Sequence, residues 1–207
     1  TLTVSERRTL STLIGQSLVA ALPDTITQPV GPGRAWNHVT AVEAVGPKLG
    51  GRDYERGRNL FHAASCSACH RFDGEGGAIG PDLTTVASRF SVSDLIDSIV
   101  EPSKVISDQY GSHIVVDTNG EFSEGLIVED GDEVSVYPRD HAAPALVFKR
   151  SEIVTITESS VSQMPSALLD TLNAEEIKDL VAYLLSGGDK KSDVFKKEDE
   201  GSAEKKD

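Results

Sequence analysis

Residues 66–70 read Cys-Ser-Ala-Cys-His, and Cys66 and Cys69 are the only cysteines among 207 residues. Two thiols and an imidazole are thereby fixed on one short stretch of chain, which must meet its ligand as a single piece. A structural zinc ion needs four ligands, normally with a second Cys or His pair at defined spacing. No second cysteine pair exists, and His38, His62, His113 and His141 are scattered singly. A thioredoxin-like redox pair wants Cys-x-x-Cys beside a βαβ pattern, and the flanking sequence has none. The remaining chemistry is the attachment signature of c-type haem. Two intervening residues let Cys66 and Cys69 reach one edge of a porphyrin as thioethers, and His70, directly following, is held beneath the iron as proximal ligand.

A second axial ligand then has to arrive from elsewhere in the chain, and methionine with histidine is the combination that raises the potential of cytochromes c. The sequence contains one methionine, Met164, followed by Pro165. Proline holds the preceding residue extended and removes a backbone donor, which suits a loop that presents a thioether. The iron ligands are therefore expected to be His70 and Met164. A gap-filling core methionine is the competing reading of Met164, with His113 or His141 as the lesser alternative for the distal position.

The formal net charge is −13, so nucleic acid and anionic membrane surfaces are poor partners. A basic docking patch on a redox protein is the natural complement. No hydrophobic run approaches a membrane span, and no secretion signal is visible. The chain begins at Thr1, from which a processed mature form or a piece of a longer protein is expected. Haem c is attached outside the bacterial cytoplasm, so the class implies a periplasmic or otherwise extracytoplasmic setting.

Along the chain, residues 1–49 are expected to form a helical extension and linker, with a helix over Thr3–Leu22, a Pro/Gly-rich linker over 23–34 and a short helix near Trp36–Val45. Residues 50–107 carry the haem attachment. Asp53 caps a helix to His62, Gly74–Gly80 form a tight loop able to lie against a flat ligand, and Ser91–Val100 is a short helix. From 108 to 158 the periodicity changes to β-branched runs, with Asn119-Gly120 and Asp130-Gly131 as hairpin turns. Four or five antiparallel strands are expected there, as a small barrel or curled sheet. Residues 159–188 bring Met164 and a helix over Ala174–Ser186, capped by Asn173 and Glu176 and stopped by Gly187-Gly188. The charged tail, 189–207, is expected to be mobile.

Gly57 and Phe61, Cys66-x-x-Cys69-His70, Gly80-Pro81-Asp82-Leu83, Met164-Pro165 and the last helix with Tyr183 together resemble the class I cytochrome c plan. The series Cys69-His70-Arg71, Gly76 to Thr84, Glu101 to Ile106 and Met164-Pro165 is similar to the haem-binding domain of large multidomain proteins of planctomycetes and verrucomicrobia. The resemblance covers approximately residues 50–188. It implies a mainly α fold around one covalently bound haem c, with the strand insert between proximal and distal halves. It implies that a glycine of one helix meets an aromatic of another, here Gly57 and Tyr183. It also implies that the Pro81 carbonyl accepts a hydrogen bond from His70. The stretch from His70 to Met164 is much longer than in a minimal cytochrome because of the insert. The expected function is single-electron transfer between redox partners, such as a dehydrogenase and another cytochrome or an oxidase, and not an enzymatic reaction. The competing classes are a haem peroxidase or gas sensor with an open distal site, using His113 or Arg139 as polar group, and a carbohydrate- or protein-binding module built on the strands.

Overall fold

The computed structural model describes residues 25–47, 49–139 and 143–197. The helix expected over Thr3–Leu22, His141 and the last ten residues of the charged tail lie outside them. The described residues form two compact units, one of residues 25–101 with 166–197 and the other of 102–165.

In the first unit each main helix starts where its sequence supplies a side chain for the orphan amides of the first turn. Helix α1 (His38–Val45) opens on Asn37, which exchanges capping bonds with Thr40. Helix α2 (Tyr54–Ala63) opens on Asp53, whose carboxylate accepts the Arg56 amide. The chain then turns through Ser65, with φ at 64°, into the one-turn helix α3 (Cys66–Cys69). A minimal hairpin follows, β1 (Arg71–Phe72) paired with β2 (Glu75–Gly76) around Asp73-Gly74. Helix α4 (Val92–Val100) starts on a Ser91/Asp94 capping box, and α5 (Ala174–Leu185) on an Asn173/Glu176 one.

Helix α5 is the axis of this unit, with Ile177, Leu180, Val181 and Leu184 all buried. Helix α2 crosses it at Gly57, where an added Cβ would lie 2.7 Å from Tyr183 Cβ and closer still to the Asp179 carbonyl. Only a hydrogen fits. Phe61, Phe72 and Tyr183 pack around that crossing with ring centroids 4.8–6.1 Å apart, and burying each contributes about 1.5–3 kcal/mol. Beside them Asp179 is completely buried. Its charge is matched by Arg56, by Arg52 at 3.8 Å and by the Asp53 amide at 3.2 Å, so the start of α2 is tied to α5.

Two segments that read as linker and charged tail find distant backbone partners as far as they are described. The part of the linker that is described, from 25 to 34, is extended but pinned. Buried Glu176 accepts the amides of Val30 and Gly31, Asn59 bonds both backbone groups of Thr27, and Trp36 Nε1 donates to the Leu172 carbonyl at 3.0 Å. The tail is likewise built as far as Lys197. Gly51 and Arg52 donate their amides to Lys196 and Val194, and Phe195 stacks edge-on against Tyr54. In both segments the backbone groups find partners far away in sequence, which local composition does not reveal.

The second unit is a five-stranded antiparallel sheet of β3 (His113–Asp117), β4 (Phe122–Asp130), β5 (Glu133–Pro138), β6 (Leu146–Lys149) and β7 (Ile153–Glu158), in the order β6-β5-β4-β3-β7. Register places Val115, Ile127, Val134, Val136, Phe148 and Ile156 on one face, with Val115, Val134 and Val136 fully buried. The edge strands β6 and β7 are joined by only Arg150–Glu152. That connection spans at most ~14 Å, whereas five flat strands would be ~19 Å across. The sheet is therefore curled, with its edges brought together. The joining turn bonds to both hairpin loops, Arg150 to the Asp132 carbonyl and Thr118 to the Glu152 carbonyl. The described residues hold five α-helices and are only 33% helical, so the mainly α expectation gives way to a mixed α and β chain. The insert is a full unit rather than a decoration of a helical domain.

Candidate functional site

Helix α3 has room for two residues between the cysteines and then stops, since His70 leaves it with extended backbone (φ −102°, ψ 139°). Its amide still closes the turn on the Cys66 carbonyl at 2.9 Å. Cys66 and Cys69 are both free and partly exposed. Burial pushes the Cys66 thiol up to about 12 and raises that of Cys69, so both are protonated at neutral pH. A redox-exchanging pair needs a thiolate, and this pair is the opposite of activated.

The segment after α3 folds back over it. Gly77 donates to the Ser67 carbonyl, Gly80 to the Cys69 carbonyl and Leu83 to the Arg71 carbonyl, each at 2.8 Å. This lays Gly80 flat on the His70 ring, where a Cβ would sit 2.8 Å from Cε1 and 2.9 Å from Nδ1. His70 Nδ1 is 2.9 Å from the Pro81 carbonyl oxygen. A carbonyl only accepts, so Nδ1 carries the proton and Nε2 keeps its lone pair. Burial lowers the pKa of His70, with the Pro81 bond opposing, which keeps the ring neutral at pH 7. The arrangement offers two S–H groups and one neutral, oriented imidazole nitrogen along a single turn. It suits covalent haem with a proximal histidine ligand. Among the described residues no group of three or more His, Cys, Asp or Glu side chains gathers as for a metal ion.

Behind α3 lies a polar chain that the sequence did not signal. Buried His62 faces the Ser67 hydroxyl through Nδ1 at 2.9 Å and the Glu75 carboxylate through Nε2 at 3.4 Å. Glu75 in turn accepts from Arg58 at 2.5 Å. The four residues come from α2, α3 and β2 at irregular spacing, so no periodicity or motif exposes them.

The distal candidates belong to the sheet unit. Met164 is half-buried, one residue before its end at Pro165. Its amide donates to the Ser162 hydroxyl at 3.1 Å, and the Ser162 amide donates to the Ser103 hydroxyl at 3.0 Å. The loop is thus fixed rather than loose. His113, at the start of β3, has a buried Nδ1 without a hydrogen-bond partner among the described residues, and Arg139 is exposed.

Residues 54–114 match the Cytochrome c family, by the description "Cytochrome c". The match takes in α2, the Cys66–His70 turn, the Gly80-Pro81 loop, α4 and the first two residues of β3. A comparison with curated proteins finds no match. Haem c is the covalent cofactor of that family, and Cys66 and Cys69 are the pair that binds it here.

Proposed function

We propose that the cytochrome c domain of this chain carries single electrons between redox partner proteins, with its iron held between His70 and Met164. Haem supplies, when bound, a reversible Fe(III)/Fe(II) couple whose potential a thioether ligand and a low-dielectric site raise. The observation that carries the reading is the His70 Nδ1–H bond to the Pro81 carbonyl. It fixes the ring, makes Nε2 more basic and leaves it as the one strong donor of the turn. Gly80 packs against the same ring and excludes water from that side. On the distal side, support comes from the anchored Ser162–Met164 loop and the stiffening Pro165. The surplus of acid, −13 overall, favours a basic patch on the partner. An extracytoplasmic setting follows from the class of cofactor. The motif series from Cys69 to Pro165 supports a relation to the haem domains of large planctomycete and verrucomicrobial proteins.

The test is a pair of spectra, wild type beside Met164→Ala. The ferric wild type is expected to show the weak far-red charge-transfer band of sulfur ligation, which the variant loses while gaining rapid carbon monoxide binding in the ferrous form. One observation favours a second reading, a peroxidase or gas-binding domain: the unpartnered, buried Nδ1 of His113 is a polar group without an assigned task. Fast carbon monoxide binding by the wild type itself would favour that alternative and exclude methionine ligation.

A further inference from the structure

The polar chain behind the attachment turn has a feature that packing alone does not explain. His62 Nε2 and Glu75 Oε2 face each other at 3.4 Å, longer than a formed hydrogen bond, and neither atom has another hydrogen-bond partner among the described residues. A buried imidazole nitrogen and a buried carboxylate oxygen left open to one another are costly, and a shared proton closes the gap. At the other ring nitrogen sits a hydroxyl. Ser67 Oγ can accept from Nδ1–H in the neutral ring and in the imidazolium alike, so the proton is taken up at Nε2, facing Glu75, without moving the backbone. The chain also has an entrance and an end. The Glu75 side chain is 25% exposed and that of Arg58 is 29% exposed, whereas His62 is wholly enclosed. Protons reach the ring from solvent by way of Glu75, and the opposite end of the chain is the residue next to Cys66.

We propose that His62 is a redox-linked proton site, binding one proton delivered through Glu75 when the haem tethered beside it takes up one electron, and releasing that proton on oxidation. The proposal rests on the one-electron reading above. The balance is one electron from a reduced partner protein and one proton from water, leaving Fe(II) and a His62 imidazolium. On reoxidation both depart. The sign follows from charge: reduction removes one positive charge from the iron, so a nearby cation becomes easier to form. Burial holds His62 below the ordinary histidine range, with the Glu75 carboxylate opposing and Arg58 acting in the same direction as burial. The other groups facing this network are Tyr54 on α2 and Tyr183 on α5, which act on its Arg58–Glu75 end, with Asp73 in the hairpin acting on those two tyrosines. From α3 only Ser67 meets the ring, since both thiols there are consumed as thioethers.

The scale follows from Coulomb's law. One unit of charge ~10 Å away, at an effective dielectric of ~20, changes proton affinity about tenfold. For a one-electron couple that tenfold change corresponds to about 59 mV between the high- and low-pH plateaus.

The experiment is a spectroelectrochemical titration of the haem-loaded protein across acid to neutral pH, for wild type, His62→Gln and Glu75→Gln. The wild-type midpoint potential is expected to fall as pH rises through a window near and below about 6.5 and to be flat on either side. His62→Gln should abolish the slope, and Glu75→Gln should keep it but move it to lower pH. A pH-independent wild-type midpoint, or a slope that survives in His62→Gln, overturns the proposal. Should His62→Gln fail to load haem, proton uptake on reducing unbuffered wild type with a pH indicator decides the matter, and no uptake within the window refutes it. A protein with no reversible one-electron wave at all would instead refute the carrier reading.

Discussion

His70 is held by contacts so close that single atoms matter. Gly80→Ala would drive a methyl group into the His70 ring, and neither the ring nor the backbone bonded to Cys69 can yield easily. The variant is expected to purify with a clearly lower haem content by mass and absorbance, and with altered ferric paramagnetic resonance. Gly111→Ala is the control, since a Cβ there meets only ordinary contact at 3.7 Å. Acid should act through two sets of residues. Burial depresses the His62 pKa, so the unfolded chain binds the proton more tightly and stability is lost as pH falls below about 6.5. Glu175, held down to about 2 by Lys178 and Arg52, adds a second loss as pH falls through the usual carboxylate range toward that value. Its side chain is half exposed, so its share is small. Urea midpoints are expected to be level above pH 7 and to drop in two stages on acidification, the first absent in His62→Gln. Cys66, Cys69 and His70 were legible because their chemistry is contiguous. The Pro81 bond came only through family resemblance, and the His62 chain joins four residues that no spacing rule connects.

Among the elements, the crossing of α2 and α5 leaves no room for a side chain at Gly57. Gly57→Ala should cost about 1–3 kcal/mol through overpacking, read as a lower urea midpoint with an unchanged slope. Glycine at that point lowers intrinsic helix propensity, and the close approach of Tyr183 and Asp179 shows what it permits. The main helices and most strand runs could be located from sequence, helped by Asp53 and Asn173, which stand where first-turn amides need acceptors. The β1–β2 hairpin could not. Its strands are two residues long, too short for any alternation, although Asp73-Gly74 carries the same turn chemistry as the Asn119-Gly120 signal. The pinned segment at 25–34 was equally hidden. Its prolines and glycines rule out helix, but nothing local announces that Glu176 and Asn59 will satisfy its backbone.

For the whole molecule, charge is the property that reaches furthest. A net −13 should speed encounter with a basic partner and lose that advantage as salt shortens the Debye length. Electron exchange with a basic cytochrome is expected to slow at least several-fold between about 10 mM and 0.5 M salt, whereas exchange with an acidic one should quicken. A flat response by stopped flow would show that the surplus serves solubility alone. None of the described helices is long and apolar enough to cross a membrane. The β-branched runs announce four or five antiparallel strands and five are present, whereas the haem motifs weight the whole toward a mainly α plan that a 33% helix content does not support. The sheet unit begins at Pro102 and ends at Pro165, and the amide of Ser162 reaches the hydroxyl of Ser103. Entry and exit thus stand side by side, the condition under which a polypeptide segment can be spliced in or removed with little disturbance to its host. A short turn in its place would leave the cysteine pair and their histidine untouched while deleting Met164, so under the ligation proposed above evolution could exchange the second axial ligand of the iron wholesale, one cassette at a time.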